Sequence, residues 1–194
     1  MHTIFEAVKG IEQKTGKTFG GKKNPLLVSV RSGARVSMPG MMDTILNLGL
    51  NDVTCAALAK ETNNERFAMD SYRRFILMFT NIAKGHPRDD MDKMLDDLKK
   101  KNGYKLDTEV TAEQLKDLVA KYKEYYKKTF GEEFPSDPKV QLIEAVTAVG
   151  NVHDFFHRHR IQRKSHLHFT RINSTLQFLI ATQTTYEVNA FVTA

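Results

Sequence analysis

Along residues 1–149 apolar positions recur mostly every three or four residues, with one stretch where they run together. Ile4, Phe5, Val8 and Ile11 follow a Thr3-x-x-Glu6 capping pattern and predict an opening amphipathic helix. "TGKTFGGKKNP" ends it with glycines and a proline. The run "LLVSVR", Leu26 to Arg31, is short and rich in β-branched residues and predicts a buried strand. Residues 32–44 then read as a loop, and a short helix is expected from Asp43 or Thr44 to about Gly49.

From Asn51 to Val149 the pattern is helical almost throughout. "NDVTCAALAKET" opens on Asn51 or Asp52 as a cap. "ERFAMDSYRRFILMFTNIAKG" carries Phe67, Phe75, Ile76, Met78, Phe79 and Ile82 at helical spacings and stops at Gly85-His86-Pro87. "DDMDKMLDDLKKKNG" places acids in its first turn and lysines in its last, as the helix dipole favours. "TAEQLKDLVAKYKEYYKKTFG" repeats that plan with Thr111 as cap. "SDPKVQLIEAVTAV" offers Asp137 as N-cap and Pro138 at the first helical position. The pattern predicts an α+β chain, predominantly helical, with a helical subdomain over about 51–149.

After Val149 the character changes. Residues 150–194 hold 5 of the 29 basic residues but only 2 of the 23 acidic ones, and 5 of the 7 histidines. A basic, histidine-rich segment gives way to the nearly uncharged "TLQFLIATQTTYEVNAFVTA", which has the composition of a strand pair but poor turn signals. Two units are therefore expected, 1–149 and a divergent tail, 150–194. His153, His157 and His159 could share one side of a helix, and His166 and His168 one face of a strand. No cysteine and few carboxylates accompany them, so no metal site is assigned.

Composition narrows the class. Of 194 residues, 41% are hydrophobic and 27% charged, as in globular chains. No apolar run is long enough for a membrane span. The lone Cys55 excludes an internal disulfide framework, and its "TCAALA" setting reads as packing. The formal charge of +6 suits a phosphate-handling protein. The tail carries no nucleic-acid-binding motif, so neither nucleic acid nor membrane is expected as a partner. A cytoplasmic location is expected.

The loop after the strand carries the candidate chemistry. Gly33 and Gly40 allow backbone N–H groups close to anionic oxygens. Arg31 and Arg35 can fork onto phosphate oxygens, and Ser32, Ser37 and Thr44 add hydroxyl donors. Met38, Met41 and Met42 could pack on a base or close a lid. A following helix N-terminus would add partial positive charge. The loop matches neither G-x-x-x-x-G-K-[ST] nor G-x-G-x-x-G. By residue type alone, polyphosphate binding competes with arginines that pair with surface acids and methionines that fill the core.

The literal string "SVRSGARVSMPGMMDTILNLGLND" resembles the nucleotide-binding domain of pyruvate, phosphate dikinases. "RFAMDSYRRFILMF" and "FPSDPKVQLIEAV" are similar to later stretches of that domain, in the same order. The resemblance covers roughly residues 4–149. It implies a partial ATP-grasp nucleotide-binding domain that takes ATP with Mg²⁺. In that family the β-phosphoryl of ATP passes to a histidine on a swivelling domain, with inorganic phosphate as co-substrate, and then to pyruvate. By resemblance Arg31 contacts the nucleotide phosphates, and the loop from Ser37 to Thr44, Asp43 included, covers the polyphosphate and its metal. Arg73 and Arg74, one of them and rather Arg74, would meet the phosphohistidine domain. A helical pair with Asp70 is the structural alternative for these arginines.

The resemblance also implies gaps. The family's earlier glycine- and lysine-containing segment, its metal-binding carboxylates, and its phosphohistidine and pyruvate domains have no counterpart here. The chain is therefore expected to be inactive alone, and the homodimer of the family is not carried over to it. Its alternative role is a non-catalytic helical module that docks the phosphohistidine domain of an intact enzyme. After "AVTAV" the family continues with a Trp-x-x-Pro-Arg core, whereas this chain has no tryptophan. Codons for "GNVHD", read in a shifted frame, permit Trp-x-Arg-Pro-Arg. The tail is thus either a frameshift product or a new C-terminal element.

Overall fold

A computed structural model describes residues 2–31, 44–161, 178–180 and 190–192, with side chains over 4–31 and 44–149. The described chain is mostly helical with small two-stranded sheets, an α+β arrangement. Helix α1 (His2–Thr15) leads to β1 (Thr18–Phe19) and β2 (Pro25–Leu26), which pair in parallel. Val8 and Ile11, on one stripe of α1, are its buried anchors.

Strand β3 (Val28–Arg31) pairs antiparallel with β4 (Thr44–Leu48). The predicted strand is thus present, divided at Leu27 into β2 and β3. The helix expected to start at Asp43 or Thr44 is not formed, because Thr44–Leu48 is β-structure. Its apolar residues Ile45 and Leu48 are three apart, which suits a helical turn, but pairing with β3 satisfies backbone groups that one isolated turn leaves open. Val28 faces Leu48 and Val30 faces Ile45, so Leu46 and Asn47 together oppose Ser29 in a β-bulge. Asn47 has φ of 63°, a left-handed conformation that asparagine tolerates.

Gly49 ends β4 with φ of 104°, and a Cβ there would lie 2.9 Å from the Phe19 ring. Only glycine lets the chain turn so close to β1. The next residues cap helix α2 (Asp52–Thr62). The Asn51 side chain accepts from Thr54 N–H at 2.9 Å, and Thr54 Oγ1 accepts from Asn51 N–H at 2.8 Å.

Helix α3 (Glu65–Met78) continues into a π-helical turn, Phe79–Ala83. Among its helically spaced apolar residues Phe75, Ile76 and Phe79 are buried, while Phe67 is exposed. Helix α4 (Asp89–Asn102) and helix α5 (Ala112–Phe130) follow, with a 3-10 turn, Asp107–Glu109, between them. Tyr122 Oη donates to the Met91 carbonyl at 2.7 Å and joins α5 to α4. Phe75, Phe79, Phe134 and Tyr126 meet edge-on, with centroids 5.3 to 5.7 Å apart, and form the aromatic heart of the core.

Helix α6 (Pro138–Ile161) begins at the predicted proline, with Lys139 N–H donating to Asp137 Oδ1 at 2.9 Å. It runs through Val149, where composition changes, and on to Ile161. Strands β5 (Phe178–Ile180) and β6 (Ala190–Val192) pair antiparallel, and β5 lies beside β3.

Gln141, fully buried on α6, holds the fold's centre. Its Oε1 accepts from Gly49 N–H at 2.9 Å, and its Nε2 donates to the carbonyls of Leu50 at 2.9 Å and Pro135 at 2.7 Å. One amide thereby fixes the end of β4 against both the approach to α6 and the entry to α2.

Candidate functional site

The candidate loop is held at its base by the β3–β4 pair. Arg31, the last residue of β3, lies directly opposite Thr44, the first of β4. Behind them Val28, Val30, Ile45 and Leu48 are buried, so the strand ends are anchored from below. The Arg31 side chain lies on the exposed side of that boundary. The structure thus brings Arg31 and Thr44 together. Ser32, Gly33, Arg35, Ser37, Met38, Gly40, Met41 and Asp43 lie outside the described residues. The helix N-terminus expected to follow the loop at Asp43 or Thr44 is replaced by β4, and the next helix starts at Asp52.

Arg73 and Arg74 are neighbours in sequence with opposite surroundings. Arg73 is buried on α3, and its Nε and Nη2 donate to Asp70 Oδ1 at 3.0 and 2.7 Å. Its Nη2 also lies 3.9 Å from Asp107 Oδ2. The Arg74 side chain is 56% exposed, with Nε 2.9 Å from Asp70 Oδ2. One carboxylate therefore serves two guanidinium groups, one facing the core and one facing solvent.

The pair is braced from the α4–α5 connection. Arg66 Nε donates to the Val110 carbonyl at 2.9 Å, and its Nη2 donates to the Asp107 carbonyl at 2.6 Å. Lys99 Nζ lies 2.9 Å from Asp107 Oδ1. The hydrogen bond from Lys99 holds the Asp107 carboxyl below its ordinary range. The helical pair with Asp70 named as the alternative is formed with both arginines, whereas Arg66 and Asp107 were missed as parts of the same set. The i,i+3 and i,i+4 spacing of Asp70 to the two arginines was the available signal; the long-range braces left none.

No family model matches the chain. It is 55% identical over 147 residues to pyruvate, phosphate dikinase of Clostridium symbiosum, covering 75% of this chain and 17% of that protein. It is 52% identical over 149 residues to the enzyme of that name from Entamoeba histolytica, covering 77% and 17%. Pyruvate, phosphate dikinase 1, chloroplastic, from Zea mays is 53% identical over 148 residues, covering 76% and 16%. Over that span, the chain's curated homologues are pyruvate, phosphate dikinases. The chain spans about 17% of the length of these curated relatives.

Within this dikinase segment the described side chains offer two candidate features, the Arg31–Thr44 mouth of the β3–β4 hairpin and the Arg74 face of α3. Among the described residues no group of three or more His, Cys, Asp or Glu could hold a metal ion. The side chains of His153, His157 and His159, and all of His166 and His168, lie outside the described residues. Among the described residues no helix is long and apolar enough to cross a membrane.

Proposed function

We propose that the chain is the ATP-binding portion of a pyruvate, phosphate dikinase-like phosphotransferase, built on part of an ATP-grasp domain. The whole enzyme would convert ATP, pyruvate and phosphate to AMP, phosphoenolpyruvate and pyrophosphate. The observation that carries this reading is the identity of 50–55% to dikinases across three quarters of the chain. The hairpin supports it. A rigid strand pair with an arginine at its mouth fixes a positive charge where a polyphosphate can meet the loop. Phosphoryl transfer asks the protein chiefly for such positioning and charge neutralisation.

Arg31 would neutralise and orient phosphate oxygens, and the Thr44 hydroxyl, across the hairpin, would donate to the same group. Arg35, Ser32, Ser37 and the backbone at Gly33 and Gly40 would complete the cradle. Met38, Met41 and Asp43 complete the same loop, which would lie over the polyphosphate, and Mg²⁺ would arrive with ATP. Calorimetric titration of ATP with the purified chain tests this. Wild type should bind, and Arg31→Ala should bind about tenfold more weakly, the scale of one charge-assisted hydrogen bond. Equal affinity in the two proteins, or no binding to either, would sink it.

The exposure of Arg74 favours a second role, docking of a phosphohistidine domain. Asp70 restrains the guanidinium while its outer edge stays in solvent, and Arg73 fixes Asp70 from the core side. A pull-down with the phosphohistidine domain of an intact dikinase should lose most binding in Arg74→Ala. Retention no greater than that of a charge-matched control domain removes this role.

A further inference from the structure

Helices α2, α3 and α5 enclose an open groove with a volume of about 780 Å³, within the size range of ligand pockets. It is separate from the hairpin mouth and from Arg74. Each helix contributes one stripe. Ala56 and Ala59 come from α2, Met69 and Tyr72 from α3, and Val119 and Ala120 from α5. The alanines keep it open: Ala56 and Ala120 stand exposed on its walls, where longer side chains would fill it.

The charges sort to the ends. Lys123 pairs with Asp52 and sits 4.9 Å from the Tyr72 ring centroid, closing one end. That pair joins the start of α2 to the second half of α5, so the end of α2 faces the start of α5. Arg66 of the first turn of α3 bonds to Val110, just before α5, and fixes α3 in the same sense as α5. Lys60, Lys116 and Glu65 therefore gather at the other end. Lys60 and Lys116 have no ion-pair partner among the described residues. This end thus holds a net charge of +1, and the floor between the two ends is apolar. Asp52 to Lys60 spans eight residues of helix, about 12 Å at the helical rise.

We propose that this groove binds an amphiphilic monocarboxylate. Its head is held between Lys60 and Lys116. Its alkyl chain lies over Ala56, Ala59 and Val119 toward Tyr72. An inorganic anion would match the lysines and leave the floor wet. A neutral apolar molecule would cover the floor and leave the lysines unmatched. The single net charge selects a monoanion over a polyphosphate, so the site does not depend on the nucleotide reading.

Decanoate, about as long in extended form as the groove, is the probe, titrated into the whole chain by calorimetry or by NMR shift mapping. It should bind saturably and about tenfold more tightly than octanoate, because two further methylenes are buried. Lys60→Gln with Lys116→Gln should weaken it about tenfold, and Glu65→Gln should tighten it two- to threefold, in the direction set by charge. Ala56→Leu should block binding by filling the wall, at a helix position that accepts leucine, with the thermal melt unchanged. The proposal is overturned if decanoate does not saturate, if Ala56→Leu binds as wild type does, or if acetate competes as well as octanoate. The last outcome would mean ion pairing without a chain site.

Discussion

Gln141 is a buried polar side chain that ties the end of the hairpin to α6. It makes three hydrogen bonds with backbone groups in two segments, those at Gly49 and Leu50 buried and that to Pro135 partly buried. Replacing it with leucine keeps most of the volume but leaves Gly49 N–H and two carbonyls without these partners. Gln141→Leu should cost about 2–4 kcal/mol, read from urea unfolding midpoints, and Gln141→Glu more, because it sets a carboxylate against two carbonyl oxygens. A second residue-scale prediction concerns alkaline pH. Burial pushes the Cys55 thiol from 9.0 to about 12, and the Tyr122 and Tyr126 phenols from 10.0 to about 12. Between pH 9 and 12 the folded chain therefore holds protons that the unfolded chain has lost. Stability from these groups is fully present below pH 9 and falls as pH rises through that window. The tyrosinate absorbance of Tyr122 and Tyr126 should appear together with loss of helical circular dichroism. Ionisation of all six tyrosines near pH 10 with the helices intact would contradict it.

At the scale of elements, capping is where sequence and structure agree most closely. Asn51 both caps α2 and donates to the Ser136 carbonyl at 2.9 Å, so it ties two helix entries together. Asn51→Ala should lower stability by about 1–2 kcal/mol, seen as a lower thermal midpoint, whereas Asn51→Asp should keep the cap and lose only the link to Ser136. The helices were legible because their signals are local. Thr111 with Gln114 forms the box that starts α5, and Gly103 and Gly131 adopt left-handed conformations where α4 and α5 end. Strand β4 was not legible, since its five residues become a strand only by meeting β3 across the intervening loop. The end of α6 was missed for a different reason. Composition changes at Val149, but a change in side-chain character does not by itself end a helix. Of the candidate site, the order of Arg31 and Thr44 in the chain gave the loop, while their direct opposition required the hairpin register. Residue type alone could not separate Arg73 from Arg74, which only the resemblance favoured, because adjacent residues on a helix are separated by about 100° and packing decides which of the two points inward.

For the whole molecule the question is whether the hairpin and the helices unfold as one unit. Val28, Val30, Ile45 and Leu48 belong to the same continuous buried cluster as Phe75, Tyr122, Leu142 and Val149. Gln141 adds a polar link between the hairpin's end and α6, and α3 packs along β4. A two-stranded hairpin is at best marginally stable alone, so its order depends on that shared core. Loss of the helices should therefore release the hairpin in the same transition. Hydrogen exchange under native conditions separates the possibilities. If the unit is single, the most protected amides of Val30 and Ile45 should open with the same free energy as those of Phe75 and Tyr122, and with the same dependence on urea. Hairpin amides that exchange through a smaller opening, insensitive to urea, would mean that the helical part stands by itself. On the proposed ATP-binding role, that outcome would also decide where nucleotide binding is lost first. A hairpin that opens locally would separate Arg31 from Thr44 while the circular dichroism of the helices stayed unchanged, so ATP affinity would fall at urea concentrations below the helical melt. A single cooperative unit requires the two losses to coincide.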